Sequence, residues 1–161
     1  VLAVAQVGHQ FGLSIDQIKW AIEAYRPESL RSELIAWNGH SVLLDCYNAN
    51  PSSMEVFVKA AQNSPEIPKV LILGEMLELG EYSEEEHQYL LEEVIDYNRF
   101  DKVLLVGKEF SKIELPKNRK IKYFESTQPA IYWWNSQVFV RGSFIYVKGS
   151  RANKLESIFG K

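Results

Sequence analysis

Two kinds of apolar pattern alternate along the chain. Around residues 52–62, 84–97 and 128–135, apolar and polar residues mix at the spacing of amphipathic helices, as in "MEVFVKAAQ". Between these stretches lie short continuous apolar runs: "KVLILG" at 69–74, "KVLLVG" at 102–107, "IKYF" at 121–124 and "SFIYVKG" at 143–149. Unbroken runs such as VLIL and VLLV mark strands whose two faces are both covered by helices. Further upstream, "SELIAWNGHSVLLDCY" reads as two strands, about 32–37 and 40–46, around Asn38-Gly39. That dipeptide is the strongest short signal for a hairpin, so the first of these strands runs antiparallel to the second. A last helix is expected over 151–158. The alternation predicts an α/β fold: a Rossmann-like, doubly wound, mostly parallel sheet of about six strands with one antiparallel edge strand.

A short helical segment precedes this unit. Residues 1–9 read as the tail of a helix stopped near Gly12, and Ser14-Ile15-Asp16-Gln17 has the form of a capping box. The helix it starts runs to about Tyr25, with Ile15, Ile18, Ala21, Ile22 and Tyr25 on one face. Arg26-Pro27-Glu28-Ser29 resembles a linker, and the domain boundary is placed there, separating 1–27 from 28–161. Because the chain opens inside an apolar helical pattern without an initiator methionine, it is expected to be a piece of something longer.

Composition narrows the function classes. With 161 residues the chain can bury one substantial core. A formal charge of −3 and a pI near 5.7 argue against a general nucleic-acid binder. No run is long and apolar enough to span a bilayer. The single cysteine, Cys46, cannot form an intrachain disulfide, and no Cys/His spacing suggests zinc. The expectation is a cytoplasmic protein acting on small molecules, with neither nucleic acid nor membrane as partner.

In an open parallel sheet, ligands collect beyond the carboxyl ends of the strands. Those ends carry Asp45-Cys46-Tyr47-Asn48-Ala49-Asn50, then Gly74-Glu75, then Gly107-Lys108, then Lys148-Gly149-Ser150-Arg151. Asp45 could accept from a ribose diol, hold an arginine or a metal, or simply cap its own turn. Tyr47 could stack on a base or seal the core. Asn50 before Pro51 is a natural N-cap, whereas Asn48 is a second carboxamide that capping does not require. Glu75 and Glu78 read as solvated acids. Ser83 and Glu86 form an expected capping box, and His87 reads as a surface or packing histidine rather than a base. Lys148, Ser150 and Arg151, with the amides of the expected last helix, form either an anion seat or a plain helix cap with two solvated cations.

Four segments, "LLDCYNANPSSMEVFVKAA", "VLILGEMLELGEYSEEEH", "VLLVGKEF" and "FIYVKGSRANKLE", occur in the order and spacing of the C-terminal domain of the Mur ligases. From about residue 30 to the end the chain resembles that family, nearest its branch that adds D-Ala-D-Ala to UDP-N-acetylmuramoyl-tripeptide. Residues 1–26 resemble the closing helices of the family's central ATPase domain. The resemblance implies an ATP-dependent, acyl-phosphate route to an amide bond in peptidoglycan precursor synthesis, by a monomer. ATP and Mg2+ would be held mainly by the central domain. Arg31 matches an arginine that reaches the nucleotide phosphates or ribose, and Asp45 matches a ribose-binding aspartate. Tyr47, Asn48 and Asn50 match the adenine side. Glu75, Lys148, Gly149, Ser150 and Arg151 match the side of the incoming amino substrate. Cys46 stands where the family commonly has serine, and Glu75 where it commonly has aspartate. No G-x-x-x-x-G-K-[ST] phosphate loop is present, so these residues alone are not expected to catalyse the reaction. Two other readings stay open: a receiver-like phospho-acceptor domain built on Asp45 and Lys148, and a generic nucleotide-binding module.

Overall fold

The structure is a computed structural model that describes residues 2–25 and 30–161. The expected linker at 26–29 lies outside the described residues. Helices α1 (Leu2–Gln10) and α2 (Ile15–Ala24) form a helical pair. Ser14 caps α2 as expected: its Oγ accepts from the Gln17 amide at 3.2 Å, and Gln17 Oε1 accepts from the Ser14 amide at 2.9 Å.

The remainder is a six-stranded sheet with helices on both faces. Its strands are β1 (Glu33–Trp37), β2 (His40–Asp45), β3 (Lys69–Gly74), β4 (Lys102–Val106), β5 (Ile121–Phe124) and β6 (Phe144–Lys148), in the spatial order β1-β2-β6-β3-β4-β5. Only the β1–β2 pair is antiparallel. Its turn places both Asn38 (φ 46°) and Gly39 (φ 83°) in the left-handed region, the requirement of a type I′ hairpin. The other strands are parallel, as the unbroken apolar runs predict. Along β3, Leu71 and Leu73 enter one core with Met54, Val58 and Ala61 of α3 (Pro51–Asn63), while Val70 and Ile72 enter a second with Ala130 and Trp134 of α5 (Thr127–Asn135). Among the described residues no helix is long and apolar enough to cross a membrane.

Two helices depart from expectation. The one predicted over 84–97 is α4 (Ser83–Tyr89), preceded by a 3-10 turn at Gly80–Tyr82 and continued by a π turn at Leu90–Val94. The wider π turn brings Leu90, Leu91, Val94 and the following Ile95 all inward, and the Tyr97 hydroxyl donates to the Leu91 carbonyl at 2.8 Å. The expected Ser83–Glu86 capping box does not form. Ser83 already has helical angles, and its hydroxyl donates to Glu109 at 2.5 Å. The predicted last helix is two 3-10 turns, Arg151–Asn153 and Leu155–Phe159, parted by Lys154 in the left-handed region. A continuous helix could not turn both the Asn153 carboxamide and the Leu155 side chain into the sheet, and the break does so.

Helix α3 ends without a glycine, and a lysine closes it. The Lys69 ammonium, at the start of β3, donates to the carbonyls of Ala61, Gln62 and Ser64, each at 2.9 Å, and the residue is 4% exposed. It supplies donors and positive charge where helix carbonyls have none. Lys69→Met should therefore strand one buried and two part-buried acceptors and lower unfolding free energy by about 2 kcal/mol, seen as a lower denaturant midpoint at unchanged slope.

Candidate functional site

Strand β2 ends at Asp45 beside the end of β6 at Lys148, which are register partners in the parallel ladder. Lys148 Nζ donates to Asp45 Oδ2 at 2.6 Å and to the Asn48 carbonyl at 3.1 Å. The lysine side chain is 4% exposed and the aspartate 22%. Asp45 Oδ1 accepts from the Ser32 amide at 3.3 Å, and the Cys46 amide donates to the Leu30 carbonyl at 2.8 Å. These bonds lay residues 30–32 along the rim, with Leu30 (φ 63°) and Ser32 (φ 52°) in the strained left-handed region on either side of Arg31. The Arg31 guanidinium lies 3.7 Å above the Tyr47 ring, a cation–π stack. Arg31, Asp45, Tyr47 and Lys148 thus meet on one edge. Among the described residues no carboxylate pairs with Arg31.

The turn after Asp45 divides its labour. Tyr47 is exposed and does not seal the core. Asn50 is the N-cap of α3: its Oδ1 accepts from the Ser53 amide at 2.9 Å, and Ser53 Oγ accepts from the Asn50 amide at 3.2 Å. Asn48 accepts from the Ala49 amide and is exposed, its side-chain NH2 turned to no acceptor among the described residues. Cys46 is fully buried. Burial pushes its thiol up to about 12, helped by the Glu156 and Asp45 carboxylates and opposed in part by Lys148.

The other half of the rim is closed on itself. Glu75 is a strut rather than a solvated acid: Oε2 accepts from the Glu109 amide at 2.9 Å and Oε1 from the Asn153 carboxamide at 3.2 Å. Asn153 Oδ1 in turn accepts from the Ser150 amide at 3.1 Å and the Ser150 hydroxyl at 2.8 Å. Gly149 is glycine because the chain packs tightly there: a Cβ would lie 2.7 Å from Leu155 Cδ1. Arg151 is exposed and pairs with the buried Glu156. Of the two arrangements expected here the cap forms: Ser150 caps the short 3-10 turn and Asn153 takes its amide, while Lys148 is buried rather than solvated. Asn153 is the rim residue that residue type alone did not single out; its position three after Ser150 was the available signal.

His87 is wholly buried, the packing member of the two roles expected. Among the described residues no group of three or more His, Cys, Asp or Glu could hold a metal ion. The open half of the rim therefore offers a fixed, unpaired guanidinium, a carboxylate with free lone pairs, and a carboxamide. That set suits a ligand with anionic and hydroxyl groups.

The Mur ligase, glutamate ligase domain family matches residues 30–151. The UDP-N-acetylmuramoyl-tripeptide–D-alanyl-D-alanine ligase of Treponema pallidum is 31% identical over 161 residues, covering 98% of this chain and 35% of that protein. A crystal structure of MurF from Acinetobacter baumannii superposes with a TM-score of 0.75 at 25% identity, over 94% of this chain and 34% of that one. MurF from Thermotoga maritima, solved in complex with ADP, has the same TM-score at 24% identity, again over 94% and 34%. The chain spans about a third of the length of these relatives.

Asp45 has a structural task besides any ligand. Asp45→Ala would leave the buried Lys148 ammonium without its counter-charge and, with the aspartate itself 22% exposed, should lower stability by about 3 kcal/mol, measured by chemical denaturation. Cys46 should resist iodoacetamide at neutral pH in the folded protein and react fully once denaturant is added, because only a thiolate attacks. Rapid labelling of the native protein would contradict its burial.

Proposed function

Because this chain belongs to the Mur ligase, glutamate ligase domain family, we propose that it is the C-terminal domain of a bacterial, ATP-dependent ligase that joins D-Ala-D-Ala to UDP-N-acetylmuramoyl-tripeptide in peptidoglycan precursor synthesis. Residues 1–27 would be the closing helices of the preceding ATPase domain, and the whole a cytoplasmic monomer. The names of the relatives support the substrates, and the ADP bound to the Thermotoga maritima protein supports the nucleotide. The observation that carries the reading is the rim itself: Arg31 on Tyr47 beside Asp45 on Lys148, at the carboxyl ends of neighbouring strands.

ATP supplies the phosphoryl group that activates the tripeptide carboxylate, and the dipeptide amine then displaces phosphate from the acyl carbon. This chain's residues bind and orient. Tyr47 holds the Arg31 guanidinium flat, leaving its N–H edge free for a phosphate or ribose oxygen. Asp45 spends one lone pair on Lys148 and one on Ser32, and the others can accept from ribose hydroxyls. Lys148 is too deeply buried to touch a ligand and acts by fixing Asp45. The free NH2 of Asn48 suits a base edge, while Asn50 serves the helix. On the acceptor side, exposed Arg151 can meet a carboxylate, and Glu75, Gly149 and Ser150 keep the rim in shape. Magnesium accompanies ATP in this reading, and no residue of this chain is given the task of holding it.

Arg31 separates binding from folding better than Asp45 does. In the full-length protein carrying this chain, Arg31→Ala should raise the KM for ATP about tenfold, the scale of one charge-assisted contact, with the thermal midpoint nearly unchanged. Unaltered ATP dependence in a folded Arg31→Ala enzyme would count against the assignment. Absence of D-Ala-D-Ala-dependent ADP release in the unmutated enzyme would overturn the function.

A further inference from the structure

Ser83, His87 and Glu109 stand together as the members of a hydrolytic triad would, yet their bonds run the wrong way. The Ser83 hydroxyl donates its proton to Glu109, so its oxygen, 3.4 Å from Nδ1, can only accept from the imidazole, and His87 is 0% exposed. Both ring nitrogens face backbone. The Met76 amide donates to Nε2 at 2.9 Å, and the Ser83 carbonyl lies 2.7 Å from Nδ1. An amide N–H can only donate and a carbonyl can only accept. Nε2 must then present its lone pair, and Nδ1 must carry the proton. The edge of the ring is closed by Phe110, whose centroid is 4.9 Å away at 89°.

The amide held this way belongs to the turn that leaves β3 at the ligand edge of the sheet. Glu75 and Met76 are tied down, Leu77 and Glu78 are exposed, and Glu78 has φ 64°, a conformation few non-glycine residues adopt. Such strain persists only where the surroundings over-determine it. The Glu75 bonds and the buried Met76 side chain hold the base of the turn, and the Met76 amide adds a hydrogen bond to a histidine eleven residues ahead, a tie that a proton can break.

We propose that His87 is the positioning residue for the rim turn Glu75–Glu78, holding it through an unprotonated Nε2 and releasing it when that nitrogen takes a proton. A proton on Nε2 would set N–H against N–H where no water reaches. The charged groups facing the ring are Glu75 at the end of β3 and Glu109 and Lys112 of the 108–112 turn; the first two favour the imidazolium and the third opposes it. Burial outweighs them and holds the imidazole below the ordinary histidine value of 6.5. Folded His87 is therefore neutral at neutral pH, the unfolded chain takes the proton first, and the clamp's contribution is lost as pH falls below about 6.5. This inference stands on geometry and does not depend on the ligase reading, so it is tested without nucleotide.

The test is nitrogen-15 NMR of the 161-residue chain, titrated from about pH 7.5 to about pH 4.5, a range that brackets ordinary histidine titration. At the upper end the ring proton should sit on Nδ1, with a scalar coupling across the N–H···N bond between Met76 and Nε2. On acidification the coupling should vanish with a midpoint below 6.5, and the Met76, Leu77 and Glu78 amides should shift together. Local opening of the turn should rise about tenfold, the factor one net hydrogen bond represents. His87→Gln places a non-titrating acceptor where Nε2 was and should abolish the shared shift. A proton found on Nε2, a titrating His87 with unmoved Met76–Glu78 amides, or the same acid response in His87→Gln would each overturn the proposal. The last result would pass the response to Glu75 or Glu109. Should His87→Gln not fold, the tautomer and the coupling in the unmutated chain still decide.

Discussion

The rim depends on a lysine almost wholly withdrawn from water. Lys148 ends β6 between β2 and β3, and its ammonium must be neutralised where it lies. Asp45 on the neighbouring strand does so, and the Asn48 carbonyl takes a second of its three protons. Those bonds recruit other segments. Asp45 draws in the Ser32 amide, the strained 30–32 segment follows, and Arg31 comes to rest on Tyr47. One buried charge thereby sets the geometry of residues drawn from opposite ends of the chain. A buried ion pair is weak grounds for stability in itself, and its use here is to fix position.

The two halves of the rim differ in what they leave undone. On the side of β3, β4 and β6, donors and acceptors close upon one another: Glu75 with Glu109 and Asn153, Asn153 with Ser150, Ser83 with Glu109, His87 with Met76. On the side of β2, the guanidinium of Arg31 and the NH2 of Asn48 find no acceptor among the described residues. Arg31 is exposed but held in place by the Tyr47 ring, and a positioned cation at the ligand edge of a parallel sheet is a place for an anion.

The sheet was legible because both of its signals are local. VLIL and VLLV report burial on two faces, and Asn38-Gly39 reports a turn that needs two left-handed residues. Asn50 was legible as a cap for the same reason, since its partner is Ser53 three residues on. The misreadings come from long-range bonds. Ser83 looks like an N-cap until Glu109, 26 residues away, claims its hydroxyl. Residues 151–158 have a helical pattern, yet Asn153 is pulled to Glu75 across 78 residues and the helix breaks. Asp45 offered several roles, and its partner, Lys148, is 103 residues distant. Tyr47 was open between core and ligand, and its exposure beneath Arg31 favours the second.

The central claim is that this rim is the half of a nucleotide clamp that reads ribose and phosphate. The most direct measurement is a crystal structure of the full-length protein with a non-hydrolysable ATP analogue. The expected result places the Arg31 guanidinium against a phosphate or ribose oxygen and an Asp45 oxygen against the ribose hydroxyls, both at hydrogen-bond distance, with the Lys148 pair intact. An ordered nucleotide in a closed enzyme that leaves both residues in solvent would contradict the account.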